Sequence, residues 1–88
     1  MIEVFIPAPL RKLTDGRASV SVTSAETVGE ALSLVNQQYP GIADRLVTEG
    51  VLRAGTQVTV DGSIAPKGLR HPLTDNSEVH FLPAIGGG

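Results

Sequence analysis

The sequence has no cysteine and no tryptophan, and its 88 residues include only two Phe and one Tyr. Without cysteine there are no disulfides, no thiolate metal ligands and no thiol nucleophile. Any sulfur chemistry must run through another group. A basic excess is also missing: seven Lys and Arg stand against nine Asp and Glu, for a formal net charge of −2. Neutralisation of phosphates has no electrostatic support, so no nucleic-acid partner is expected. The adjacent Arg11 and Lys12 read as part of a solvated loop. No apolar run approaches the roughly 20 residues that cross a bilayer. The start, Met1-Ile2-Glu3-Val4, lacks the basic region and apolar stretch of a secretory signal. No membrane partner is expected, and the expected location is cytoplasmic. His71 and His80 are the only histidines and have no convergent ligands in the sequence, so no metal and no bound cofactor are expected. Both read as ordinary exposed side chains.

What is present is period-2 patterning around one helical stretch. Ile2, Val4 and Ile6 share one parity in a first strand, Met1 to Pro7. After the turn residues Thr14-Asp15-Gly16-Arg17, Ala18, Val20 and Val22 share one parity in a second. The two runs read as an antiparallel hairpin. Thr27-Val28-Gly29-Glu30 has the form of a capping box. Val28, Ala31, Leu32 and Val35 follow at helical spacing, Tyr39 extends the stripe, and Pro40-Gly41 stops it. A short helical turn is expected over Ile42 to Leu46. Glu49-Gly50 and Ala54-Gly55 then punctuate a loop.

Gln57 to Val60 reads as a strand that turns at Asp61-Gly62. Ser63 to Asn76, interrupted by Pro66, Gly68 and Pro72, reads as irregular. Glu78 to Pro83 is the last strand, with Val79 and Phe81 inward and His80 and Leu82 outward. The pattern predicts a two-layer α+β domain, a mixed sheet packed on one main helix. The last strand is expected beside the first, parallel to it, at the sheet centre. The domain is expected over residues 1–83, followed by a flexible tail over residues 84–88.

That tail, Ala84-Ile85-Gly86-Gly87-Gly88, is the most informative segment. Three glycines in a row have no Cβ and cannot hold a strand. A phosphate cradle needs a helix directly after its glycines, and here none follows. The Gly88 carboxylate is itself an anion and is suited to attack an electrophile. Freezing five such residues costs roughly 5–10 kcal/mol, which docking of Ile85 in an apolar pocket offsets in part. No nucleophile turn or acid–base pair suggests independent catalysis; the close carboxylates Glu26 and Glu30, or Asp75 and Glu78, read as helix-start and turn residues. Phe5 and Leu82, outward on strands expected side by side, suggest a docking face.

Taken together, Val58-Thr59-Val60-Asp61-Gly62, Gly68-Leu69-Arg70-His71-Pro72-Leu73-Thr74-Asp75, Glu78-Val79 and Leu82-Pro83-Ala84-Ile85-Gly86-Gly87-Gly88 resemble a known family. It is the family of bacterial and archaeal sulfur carriers that includes the molybdopterin-synthase small subunit, the thiamine carrier and the cysteine-forming carriers. The resemblance implies the β-grasp fold of ubiquitin. The family diglycine falls on Gly87 and Gly88, while Gly86 replaces its usual alanine. Asn76 stands where the family turn has Gly, and it is expected in the left-handed conformation.

The resemblance also implies a mechanism. An adenylyltransferase resembling ubiquitin-activating enzymes would use ATP and magnesium to adenylate Gly88. A sulfur donor of the rhodanese or cysteine desulfurase type would convert it to a thiocarboxylate. A sulfur-accepting synthase in cysteine, molybdopterin or other cofactor biosynthesis would consume it. Gly86, Gly87 and Ile85 would thread the partner's channel, while Phe5, Leu82 and Arg70 would dock it. The chain would be a substrate and carrier rather than an enzyme. The alternative reading is a ubiquitin-like modifier, or a non-catalytic interaction module.

Overall fold

In the computed structural model, which describes residues 1–82, the alternating runs assemble into one mixed sheet. Strand β1 (Ile2–Phe5) pairs antiparallel with β2 (Ser19–Val22) and parallel with β7 (Glu78–Leu82). On its other side β7 pairs antiparallel with β5 (Gln57–Val60), which turns into β6 (Ser63–Ile64). The order β2-β1-β7-β5-β6 places the last strand at the centre, parallel to the first. Period-2 burial follows the pattern: Ile2, Val4, Val20, Val22, Val58, Val60, Val79 and Phe81 are all buried. Ala18 departs from its expected parity and is exposed, because it precedes Ser19, the first residue of the β1–β2 ladder.

Helix α1 (Val28–Gln38) covers this face with Val28, Ala31, Leu32 and Val35. The Thr27 hydroxyl accepts from the Glu30 amide at 3.2 Å. The reciprocal arm lands one residue early, since Glu30 Oε1 accepts from the Glu26 amide at 3.3 Å. Tyr39 closes the helix. The Asn36 side-chain oxygen then accepts from the amides of Gly41 and Ala43, both at 3.1 Å, and so starts α2 (Ile42–Leu46). Ile42 and Leu46 of that short helix are fully buried and extend the core past the end of α1.

The connections hold more order than their composition suggests. The β1–β2 link contains a 3-10 segment, Ala8–Thr14, so the two strands are not joined by a tight turn. The buried Thr14 hydroxyl lies 3.1 and 2.9 Å from the carbonyls of Arg11 and Arg17 and closes the segment. The loop expected around Glu49-Gly50 is a small hairpin of β3 (Val47–Thr48) and β4 (Val51–Leu52). The crossover expected to be irregular contains β6 and a second 3-10 segment, Gly68–Arg70. It is pinned to the start of α1: the Val28 amide donates to the His71 carbonyl at 3.1 Å, and the Leu73 amide to the Glu26 carbonyl at 2.9 Å. Gly29 permits this approach, because a Cβ there would stand 3.1 Å from the Leu69 carbonyl oxygen.

Candidate functional site

The site begins where β7 delivers the chain. Two turns fix that strand. At Asp61-Gly62 both residues take positive φ, 52° and 87°, the geometry of a two-residue hairpin turn whose twist matches the strands. The Asp61 carboxylate then accepts from the Glu78 amide at 2.8 Å, and the Asp61 amide donates to the Glu78 carbonyl at 2.9 Å. Before β7, Asn76 sits at φ 66°, the left-handed conformation expected of it. The buried Ser77 Oγ accepts from the Thr74 amide at 3.0 Å and completes the turn. The start of β7 is thus held at both flanks. Its end, Leu82, lies level with Gln57 at the end of the β5–β7 ladder. Gly88, Gly87, Gly86 and Ile85, the expected reacting and threading residues, lie outside the described residues, as does Pro83 at the expected end of the last strand.

The outward face of the sheet carries one continuous row. Ser19 opposes Phe5, Phe5 opposes His80, His80 opposes Thr59 and Thr59 opposes Ile64, so the row crosses all five strands. Phe5 and His80 stack with ring centroids 4.1 Å apart and planes 5° from parallel. His80 Nε2 also lies 4.0 Å from Glu78 Oε1. Leu82 flanks the row and is 47 % exposed; Ile64 at its end is 61 % exposed. An aromatic stack between exposed aliphatic side chains is the kind of surface that buries well against a partner.

The structure does not bring together the three residues expected to dock a partner. Phe5 and Leu82 share the outward face, but His80, not Leu82, is the β7 neighbour of Phe5. The His80 ring leaves Phe5 half-buried. Arg70 lies elsewhere, at the end of a 3-10 segment that packs on α1 and β4, on the helix side of the sheet. His80 lies on the outward face as its parity predicts, but its stacking on Phe5 and the place of Ile64 on the same face were not expected. The two-residue turn at Asp61-Gly62 was the signal for Ile64, since it fixes Thr59 opposite Ile64. His71 is also not simply exposed: its Nδ1 is buried with no hydrogen-bond partner. Among the described residues no cluster of His, Asp or Glu could hold a metal ion, and no helix is long and apolar enough to cross a membrane.

Comparison with known proteins agrees with this geometry. The model of the ThiS family matches residues 4–88. A chain of the crystal structure of the Amycolatopsis orientalis BexX/CysO complex is 33% identical, with a TM-score of 0.91 and all of both chains covered. Mycobacterium tuberculosis CysO is 32% identical with a TM-score of 0.85, covering 97% of this chain and 100% of that one. SAMP1 from Haloferax volcanii is 26% identical with a TM-score of 0.76, covering 99% and 98%. None of the curated proteins gives a sequence match. The central parallel pairing of β1 with β7, a single main helix and the family match through the last residue lead to one assignment: the chain belongs to the ThiS family, with a ubiquitin-like β-grasp fold, and is a ubiquitin-like sulfur carrier or modifier.

Proposed function

We propose that the chain is a sulfur carrier that works through the carboxylate of Gly88. The observation that supports this most directly is the extent of the family match, which runs through the Gly86-Gly87-Gly88 end. An activating partner similar to ubiquitin-activating enzymes binds ATP and magnesium. A carboxylate oxygen of Gly88 attacks the α-phosphorus of ATP, and pyrophosphate leaves. The terminal sulfur of a persulfide on a rhodanese- or cysteine desulfurase-type donor attacks the acyl carbon of the mixed anhydride. AMP departs with the bonding pair, and a second thiol then reduces the resulting acyl disulfide, forming a disulfide with the donor's sulfur and leaving a C-terminal thiocarboxylate. A sulfur-accepting synthase then takes the sulfur into cysteine, molybdopterin or another cofactor.

The residues suit these steps. Gly86, Gly87 and Gly88 present no Cβ to a narrow channel, and Ile85 supplies one apolar anchor. The chain has no thiol of its own to intercept the activated end. The row through Phe5 and His80, with Leu82 at the root of the tail, is the surface that docks the activating partner. Ser21 Oγ donates to the Glu3 carboxylate at 3.2 Å, but the pair stands exposed on an open sheet. In this reading the chain is a substrate, and catalysis belongs to its partners. Similarity to SAMP1, which carries the name small archaeal modifier protein 1, supports a second reading in which the same adenylate is captured by a lysine amine as an amide.

Intact-mass measurement separates the two. With the activating enzyme, ATP, magnesium and sulfide, the protein is expected to gain the mass difference between sulfur and oxygen, located by fragmentation at Gly88. An added C-terminal alanine is expected to block the gain, because about 1 Å of displacement costs on the order of 100-fold in rate. Pyrophosphate release with an unchanged carrier mass and a new lysine amide would replace the carrier reading with the modifier reading.

A further inference from the structure

On the helix side of the sheet, the β3–β4 hairpin and the crossover enclose a groove of about 290 Å³ lined by Gly50, Val51, Leu52, Pro66, Leu69 and the cationic pair Lys67 and Arg70. Its lining is mostly apolar, yet Val51 is 63 % exposed. Lys67 and Arg70 are exposed and form no ion pair among the described residues. Glu49, at the hairpin tip, is not part of the lining. The groove therefore offers an apolar floor with two uncompensated cations, and it suits a segment with one aliphatic side chain followed closely by an anion.

We infer that this groove is a docking site for the chain's own C-terminal segment, with Ile85 on the apolar floor and the Gly88 carboxylate between Lys67 and Arg70. The strand register places the two within reach. Leu82 pairs with Gln57, and Thr59 with Ile64. The Ala65 amide continues that second ladder by donating to the Val58 carbonyl at 2.9 Å. Pro66 thus falls level with Gln57 and Leu82, two strand spacings from Leu82, or about 10 Å at roughly 4.8 Å per spacing. The residues from Pro83 to Gly88 span up to about 20 Å at roughly 3.3–3.6 Å each. From Ile85 to the Gly88 carboxylate is about 10 Å on the same scale, enough for the side chain to occupy the floor while the carboxylate meets the rim.

Charge complementarity fixes the direction. The segment carries one formal charge, the carboxylate at its end. The groove carries its two cations on the crossover side and none on the hairpin side. The docking itself stands on the groove and the segment alone. Its consequence rests on the carrier reading: a docked carboxylate is withheld from solution, and an activating partner must first lift it out.

The test is NMR on the full chain, with no enzyme or sulfur source, so its failure is distinct from failure of the mass assay. Nuclear Overhauser contacts from the Ile85 methyls to those of Val51, Leu52 and Leu69 are expected at low salt, independent of protein concentration. They are expected to disappear in the double variant Lys67→Glu, Arg70→Glu, and in Ile85→Ser the amide shifts of Val51 and Leu69 should move. An unchanged amide pattern across β1, β5 and β7 would show that both variants remain folded. Absence of the contacts in the parent chain, contacts instead to Leu82 or Ile64, or contacts that vanish on dilution as in exchange between two copies, would each overturn the inference.

Discussion

Leu82→Ala isolates the docking face, because the structure sets both what the side chain gives up and what it leaves intact. Leu82 is 47 % exposed, so about half of its surface remains to be covered by a partner. Full burial of a leucine side chain is worth about 1.5–3 kcal/mol, and burying the exposed half is therefore worth about 1 kcal/mol. With a factor of ten for each 1.36 kcal/mol, the loss corresponds to roughly a five-fold rise in KM for the carrier. The backbone pairing of Leu82 with Gln57 does not involve the side chain, so the thermal midpoint should stay close to that of the parent. The adenylated chemistry is remote from the side chain, so kcat should be unchanged. Leu82→Glu should raise KM further, since it places an unpaired carboxylate in a contact that excludes water. The assay is ATP–pyrophosphate exchange by the activating enzyme, titrated with each carrier variant. Equal KM values for parent, Leu82→Ala and Leu82→Glu would refute the assignment of this face to the activating partner.

Three further outcomes follow from the described core and caps. Phe81→Ala should cost about 3–5 kcal/mol in denaturant unfolding, because Phe81 is 3 % exposed and its strand lies at the sheet centre; an unchanged midpoint would contradict the place of Phe81 in the buried core. Thr27→Ala should cost about 1 kcal/mol, because it removes the acceptor for the Glu30 amide; equal stability of parent and variant would mean the cap contributes nothing. Deletion of Gly87 and Gly88 should leave the unfolding midpoint within error, since among the described residues a complete buried apolar core already runs from Ile2 to Phe81, yet it should abolish pyrophosphate exchange. A marked loss of stability on that deletion would assign the last residues a structural role.

The local features of this protein were legible residue by residue. Alternation at Ile2-Val4, Val20-Val22, Val58-Val60 and Val79-Phe81 identified the buried face, because side-chain direction in a strand reverses at every residue. Thr27 and Glu30 at one end and Pro40-Gly41 at the other bounded α1, because end groups need capping whatever surrounds them. Asn76 and Asp61 announced left-handed turns through their own side chains. Segments whose order depends on distant partners were not legible. The crossover from Ser63 to Asn76 is irregular in composition, and it gains form by hydrogen bonding to Glu26 and Val28 and by resting against Gly29. The β3–β4 hairpin, with two residues in each strand, carries too short a pattern to register. Phe5 and Leu82 were correctly placed on one face, but the parallel register that puts His80 over Phe5, and the packing that carries Arg70 to the helix side, are long-range facts. Period and capping are set within a few bonds of each residue, and the sequence determines them alone. Register between strands far apart in the chain, and the groove between hairpin and crossover, are decided only when the sheet closes on α1.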